Sequence, residues 1–217
     1  MHMLRGMDCT ALLLEVGTAS ACVRSCLGDA LGCRKLSDTE WAQCTLPLRF
    51  GGLGIKDPLT LLPVARLAAS LCFLERGRTL CFPEDVLCMP ADWKVHVQQL
   101  SNTLGATFQP LATWLPLDEP QSIDGEHRSQ KWWSNHLHTA RARNLLHSLP
   151  VRDACRFTLQ RMPNTTAWME VTPSTALGTK FTGCEYRLLL RWWVGSREQQ
   201  QIAQAAGKPW MSTGITW

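Results

Sequence analysis

The chain has 217 residues, of which 45% are hydrophobic and 18% are charged, and its net charge is +4. This composition is that of a globular protein with a core of its own, and it excludes a disordered chain. The positive charge is mild and does not by itself indicate nucleic-acid binding.

The sequence predicts neither a secretory signal nor a membrane span. The apolar run at residues 11–14 is interrupted by Glu15 and lacks a convincing basic region and cleavage site. No stretch contains the roughly 18 consecutive apolar residues that a membrane span requires. We therefore expect a soluble, intracellular protein without a membrane partner, and the sequence does not distinguish the cytoplasm from the nucleus.

The ten cysteines indicate reduced thiols rather than a disulfide framework or a zinc site. No pair has the Cys-x-x-Cys spacing of a zinc ribbon. Most lie among apolar residues, as Cys72 does between Leu71 and Phe73. Without a secretory signal we expect reduced, buried cysteines that pack as small hydrophobic side chains.

Helical periodicity dominates the first half of the chain. Apolar residues at helical spacing predict helices over residues 8–31, from Asp57-Pro58 to about Gly77, and over 93–104. Residues 78–90 have no clear period and are predicted to form a loop, and residues 108–115 suggest one further short turn of helix. No segment shows the period-two alternation of a strand.

Between the first two helices lies a short segment with strong local signals. Ser37 and Glu40 form a capping box that predicts a helix start, and Pro47 limits the length of that helix. Three glycines follow, at Gly51, Gly52 and Gly54. A glycine loop of this kind can cradle a phosphate, but the lysine and hydroxyl residue of a P-loop are missing. We therefore predict a tight structural turn that lets the apolar residues beside the glycines reach the core.

The second half begins after an acidic segment rich in helix breakers, residues 116–127, which we predict to be a linker. Three helices are expected beyond it, at 129–149, 151–162 and 183–194, the last capped by Gly195. The predicted organisation is an N-terminal helical region (1–115), the acidic linker (116–127), a basic, Trp-rich helical region (128–195) and a polar tail (196–217). The fold class is all-α, an irregular multi-helix array in which a division into two small helical subdomains is left open.

Basic residues concentrate between residues 128 and 161. This span holds seven arginines and lysines against one acid, Asp153, so its net charge is +6 and that of the rest is −2. Tryptophans and histidines are interleaved, and single-stranded nucleic acid is bound by such combinations of phosphate contacts and stacking platforms. The candidate residues are Arg128, Lys131, Arg141, Arg143, Arg152 and Arg156, and the partner would be RNA or single-stranded DNA. The commoner meaning of the same pattern is two amphipathic helices with solvated arginines and core tryptophans.

No catalytic, metal or cofactor site is predicted. His136 and His138 are two residues apart and point away from each other on a helix, unlike a zinc pair at i and i+4. No nucleophile-elbow sequence occurs, and nothing marks a particular cysteine as activated. An enzyme is therefore the least favoured class. A helical protein-interaction module without a nucleic-acid role, anchored by Trp133 and Trp193, is the alternative to nucleic-acid binding.

Residues 36–55 resemble a pattern found downstream of the polymerase core in non-LTR retrotransposon reverse transcriptases. In one-letter code, with x for any residue, that pattern is LSD-x-x-W-x-Q-x-x-LP-x-x-x-GGLG followed by L or I, and the segment matches it through Trp41, Gln43, Pro47 and the three glycines. An alanine- and leucine-rich helix follows, as in those proteins.

A second part of the resemblance lies near the C-terminus. It runs from Arg156-Phe157 through Ala167-Trp168-Met169 and Pro173 to the helix that contains Tyr186 and closes on Gly195. The two parts together cover about residues 30 to 195, and their order and spacing carry the similarity. The chain has no Asp-Asp pair of a polymerase palm, and no Cys or His follows Lys208, where related proteins continue into a cysteine–histidine cluster.

The resemblance implies a thumb-side helical region downstream of the palm that helps to grip template and primer. Such a region has no catalytic activity of its own, although its parent element would be an RNA-directed DNA polymerase. For this chain we expect weak, non-specific nucleic-acid binding, with the oligomeric state left open.

Overall fold

A computed structural model of the chain describes residues 9–32, 35–82, 93–105, 129–171, 174–176 and 179–196. Outside the described residues lie Arg128, the short helix predicted at 108–115, the linker predicted at 116–127 and residues 197–217 of the tail.

The fold class is all-α, as predicted, and the described residues contain no strand. In chain order the helices are α1 (Cys9–Leu31), α2 (Asp38–Cys44), a 3₁₀ turn (Leu48–Phe50), α3 (Pro58–Thr79), α4 (Trp93–Leu104), α5 (Gln130–Ser148), α6 (Val151–Gln160), α7 (Ala167–Glu170) and α8 (Gly183–Val194). The sequence did not predict α7, because a helix of 4 residues is too short to show a period.

Capping boxes fix the starts of α2 and α8. At α2 the Ser37 hydroxyl accepts the Glu40 N–H at 3.2 Å, and the Glu40 carboxylate accepts the Ser37 N–H at 2.7 Å. Thr182 and Glu185 form the same capping box at α8. These reciprocal bonds satisfy backbone donors that have no partner inside the helix, and the Ser37 box was visible in the sequence.

Helix α5 follows the predicted linker but packs on helices that precede it. Its Trp133 side chain is 1% exposed and lies in a core shared with α3 and α4. The buried members of this core are Leu61, Val64, Leu67, Leu71, Leu100, Leu104, Trp133, Leu137 and Ala140. The two regions predicted on either side of the linker therefore share one core along this side of α5.

Two further cores also join segments that are distant from each other in the sequence. One contains Leu31, Leu36, Cys44, Trp193 and Val194, and so connects α1 and α2 to α8. The other contains Leu46, Ala142, Leu145 and Phe157, which connects the glycine turn to α5 and α6. The tryptophans at 133 and 193 thus lie inside the protein, as the commoner meaning of the Trp-rich pattern expects.

A buried amide network fixes the glycine turn against α6 and α8. The Gln43 Nε2 atom lies 3.0 Å from the Gly51 carbonyl oxygen, 2.8 Å from the Gln160 Oε1 atom and 2.9 Å from the Trp193 carbonyl oxygen. The Trp193 indole N–H lies 3.1 Å from the Gly51 carbonyl oxygen and 3.2 Å from that of Gly52. The amide and indole hydrogens are shared among these acceptors, and because the groups are buried, the network replaces hydrogen bonds that water would otherwise make.

The glycines of the turn are required by geometry. Gly51 and Gly54 have φ angles of +81° and +72°, a region that other residues rarely adopt. At Gly52 a Cβ atom would overlap the backbone of Leu46 and the Gln43 carbonyl oxygen. The turn therefore needs glycine for conformation at two positions and for space at the third.

Helix α3 is long and apolar enough to cross a membrane, the one such helix among the described residues. Arg66 interrupts its apolar sequence, so it does not contain the roughly 18 consecutive apolar residues expected of a membrane span. In addition, 56% of its apolar window is buried inside the fold, as in the core helix of a soluble protein. Its Pro63 lies inside the helix and therefore removes one i→i−4 backbone hydrogen bond.

The prediction of buried cysteines is wrong for most of the cysteines whose side chains the structure describes. Seven described cysteines are free thiols, and six of them are exposed: Cys22, Cys26, Cys72, Cys81, Cys155 and Cys184. Only Cys44 among these seven is buried. Apolar sequence neighbours were misleading because adjacent residues on a helix face different directions.

We predict that Gly52→Ala destabilises the protein by about 3 kcal/mol, because the added methyl group meets backbone atoms that cannot move aside. Gly17→Ala is the matched control. Nothing lies within 4 Å of a Cβ atom at Gly17, which is inside α1, so alanine should stabilise by about 0.5–1 kcal/mol. Urea unfolding followed by circular dichroism measures both values. Equal stabilities for the two variants would contradict this account of the turn.

Candidate nucleic-acid interface

The six basic residues predicted to bind nucleic acid fall into two structural groups. Lys131, Arg143 and Arg152 are exposed, the first two on α5 and the third on α6. Arg141 and Arg156 are largely buried and bond to the protein itself. The sixth residue, Arg128, lies outside the described residues.

Arg141 connects α5 to the end of α2. Its Nη2 atom donates to the Thr45 hydroxyl at 2.8 Å, and its Nη1 atom is buried with no hydrogen-bond partner among the described residues. Burial lowers the pKa of this guanidinium, and the nearby Asp57 carboxylate opposes the effect. The charge of Arg141 is thus partly withdrawn from solvent.

Arg156 holds the C-terminal end of α8. Its Nη1 atom donates to the carbonyl oxygens of Trp192 at 2.9 Å and Trp193 at 3.0 Å, and its side chain is 12% exposed. A cation at this position satisfies the last carbonyl groups of a helix and complements its dipole. The guanidinium also lies against Gly195, where a Cβ atom would overlap it. Arg156 therefore stabilises the fold by donating to the last carbonyl groups of α8.

One exposed row of α5 carries positive charge. Lys131, Asn135, Thr139 and Arg143 are spaced by four residues and all are exposed; we call them the outer row of α5. Since the helix rises about 1.5 Å per residue, the row is about 18 Å long. Arg49, exposed in the 3₁₀ turn, donates to the Asn135 Oδ1 atom at 2.8 Å and so adds a third cation beside the row.

No acidic side chain belongs to α5. Its sequence from Gln130 to Ser148 contains neither aspartate nor glutamate. Beside the outer row, the half-buried rings of Trp132 and His136 lie 4.2 Å apart. Trp132 also meets the buried Trp133 edge to face, at 4.9 Å, which fixes its orientation. The helix thus presents cations and an oriented aromatic pair and has no acidic side chain of its own.

A cleft of about 460 Å³ lies between α5 and the glycine turn, and we call it the α5 cleft. Exposed Lys56 and Lys131 are among its lining residues, and Lys131 also belongs to the outer row. The remaining lining residues are Thr45, Pro47, Gly54, Ile55, Leu61, Gln130, Ser134 and His138. The lining therefore combines two lysines with apolar groups and a few polar side chains, and contains no carboxylate.

His138 is the buried polar residue of the α5 cleft. It is 9% exposed, and its Nδ1 atom has no hydrogen-bond partner among the described residues. Burial, together with the charges of Arg141 and Arg49, lowers the pKa of His138 to about 4. The ring is therefore neutral at pH 7, with one nitrogen that donates and one that accepts.

The described residues contain no group of three or more histidine, cysteine, aspartate or glutamate side chains placed to hold a metal ion. His138 is buried in the cleft, whereas His136 lies against Trp132. The two imidazoles thus occupy different environments.

Three parts of this surface were missed by sequence reasoning. Arg49 and Lys56 flank the glycine turn and are about eighty residues away from α5 in the chain, so no local pattern relates them to Lys131. The burial of His138 was missed as well, because Phe50, whose ring lies beside it, is distant in the chain and meets it only in the fold. No signal in the sequence marked any of the three, since Arg49 occupies a position at which the retroelement pattern allows any residue.

No protein-family model, curated protein or solved structure matches the chain.

We predict that His138 makes stability depend on pH between about 4 and 6.5. Its folded pKa is about 4, below the ordinary value of 6.5, so the unfolded chain binds a proton in this window that the folded protein does not. The free energy of unfolding should therefore fall by about 2 kcal/mol as the pH is lowered from 6.5 to 4.

Urea unfolding at several pH values, compared between the wild type and His138→Gln, measures this contribution. The variant should lose about 2 kcal/mol of the pH dependence. His147→Gln is the control, since His147 is an exposed histidine of the same helix. A pH dependence that is the same in all three proteins would contradict the assignment.

Proposed function

We propose that this chain is a non-catalytic helical module that binds RNA or single-stranded DNA weakly and without sequence specificity. The observation that carries the proposal is the outer row of α5, where Lys131 and Arg143 lie about 18 Å apart with Arg49 between them. Cations in a row can each neutralise a phosphate, which is the main source of affinity in non-specific binding.

The structure changes the set of residues that would do this. Arg141 and Arg156 direct their guanidinium groups at the protein's own oxygen atoms, so we assign them to the fold. The proposed contacts are Lys131, Arg143 and Arg152, together with Arg49 and with Arg128, which precedes α5 in the chain. The Trp132 and His136 rings beside the row supply surfaces on which a base can stack.

The wider proposal follows from the sequence resemblance. A module of this kind corresponds to the region downstream of the palm in a non-LTR retrotransposon reverse transcriptase, where it would help to hold template and primer. The polymerase chemistry would belong to the parent element. We place the protein inside the cell, since the seven described free thiols suit a reducing compartment.

A helical protein-interaction module is the second candidate, and one observation favours it. Helix α8 exposes 43% of Tyr186, 38% of Leu188 and 51% of Trp192. The anchors expected from the sequence, Trp133 and Trp193, are only 1% and 2% exposed, so a partner would have to contact these other residues instead. Size-exclusion chromatography with light scattering tests this candidate. A defined oligomer that dissociates on Trp192→Ser supports it, and a monomer at every concentration opposes self-association through α8.

We predict that binding of a fluorescein-labelled single strand falls steeply with salt, because bound phosphates release counterions. The triple variant Lys131→Gln, Arg143→Gln, Arg152→Gln should bind more weakly at low salt. Its slope of log K against log salt should be less steep by about 2, since each lost phosphate contact changes the slope by about 0.7. Fluorescence anisotropy at several salt concentrations measures both quantities.

The control is a triple variant that removes the same charge elsewhere. Arg76, Lys94 and Lys180 are exposed and lie on α3, on α4 and just before α8. Their replacement by glutamine should leave most of the affinity and slope in place. Absence of binding at low salt, or equal losses in the two triple variants, is the result that would refute the proposed interface.

A further inference from the structure

The α5 cleft and the outer row of α5 are continuous. Lys131 belongs to both, so a strand that follows the row reaches the edge of the cleft. Exposed Lys56 is a second cation among the lining residues and comes from the other side, directly after the glycine turn. A strand whose phosphates lie near these two lysines would therefore have its bases beside an open cavity.

The lining of the cleft suits a nucleobase. Pro47, Ile55 and Leu61 supply apolar surface, and Ser134 supplies a hydroxyl group. The volume of about 460 Å³ falls in the range of small-molecule sites, which are mostly apolar with a few placed polar groups. A flat aromatic base with polar edges has this combination of properties.

His138 gives the cleft an unsatisfied buried group. Its Nδ1 atom is buried without a hydrogen-bond partner among the described residues, and the residue lines the cleft. Buried polar atoms in folded proteins nearly always have a partner, and a ring nitrogen without one beside a cleft can form a hydrogen bond with a ligand atom that reaches it. The edge of a base carries both donors and acceptors and can supply the partner.

A second cleft, of about 440 Å³, is less suited to this role. Its lining includes the carboxylates of Glu40 and Asp153, which repel phosphate. Its arginine, Arg156, is bonded to the carbonyl oxygens at the end of α8. The α5 cleft has neither feature.

We propose that the α5 cleft receives one unstacked base of a single strand, with the flanking phosphates at Lys131 and Lys56 and the edge of the base at His138. This inference rests on the proposed nucleic-acid binding and adds the place in the fold at which one base is held. A base that is paired in a duplex cannot enter the cleft unless the pair opens, so the protein should prefer single strands.

The test compares a short pyrimidine single strand with its duplex, using anisotropy and the full chain. The wild type should bind the single strand about tenfold more tightly, as expected when one base is additionally buried in an apolar cleft. Ser134→Phe fills the cleft without changing charge, and it should remove this preference while duplex binding stays the same. Ser25→Phe, at an exposed serine of α1, is the matched control and should retain the preference.

The outcomes separate this inference from the function on which it rests. If the wild type binds neither nucleic acid at low salt, both fail. If it binds single strand and duplex equally, and Ser134→Phe changes nothing, the cleft is not a base site although nucleic-acid binding stands. If free uridine monophosphate displaces the strand as well as an unlabelled strand does, the cleft takes a mononucleotide and the strand arrangement is wrong.

A second measurement does not depend on a variant. A single strand that contains 4-thiouridine is photo-crosslinked to the wild type, and the modified peptides are identified by mass spectrometry. Crosslinks at residues 54–56, at Ser134 or at His138, which line the cleft and lie outside the outer row, support the proposal even if Ser134→Phe proves unstable. Crosslinks confined to other residues overturn it.

Discussion

The buried side chain of Gln43 is the contact on which the rest of the structure depends. Its amide nitrogen lies within hydrogen-bond distance of atoms from Gly51, Gln160 and Trp193, three segments that are far apart in the chain. The Trp193 indole N–H donates to the carbonyl oxygens of Gly51 and Gly52, so Trp193 is bonded to both Gln43 and the glycine turn. In a buried setting, loss of one partner leaves the others unsatisfied, which makes such a network cooperative.

The position of the candidate interface follows from this network. It fixes the glycine turn, and the turn supplies Lys56 and one wall of the α5 cleft. The opposite wall is α5, which is held by the core around Trp133 and by the bond from Arg141 to Thr45. The basic residues of α5 therefore have different roles on its different sides. Those of the outer row are exposed to solvent, whereas Arg141 binds the helix to the end of α2.

The sequence predicted the site only in part. It identified α5 as the basic helix and selected Lys131 and Arg143, which are exposed, but it selected Arg141 and Arg156 by the same criterion. An arginine carries the same charge in any sequence position, and whether that charge meets solvent or a carbonyl oxygen depends on the neighbouring helices. Arg49 and the cleft could not be predicted, since they depend on contacts across about eighty residues.

The sequence by itself determined the all-α class, most helix boundaries and the glycine turn, because these depend on periodicity, caps and backbone conformation within a few residues. Tertiary structure decided which face of each helix is buried. It placed Trp133 and Trp193 in the core. It left most described cysteines exposed, although the sequence predicted them to be buried. It also joined the segments on either side of the predicted linker in shared cores. Such pairings are set by the packing of distant apolar surfaces, which no local window of sequence contains.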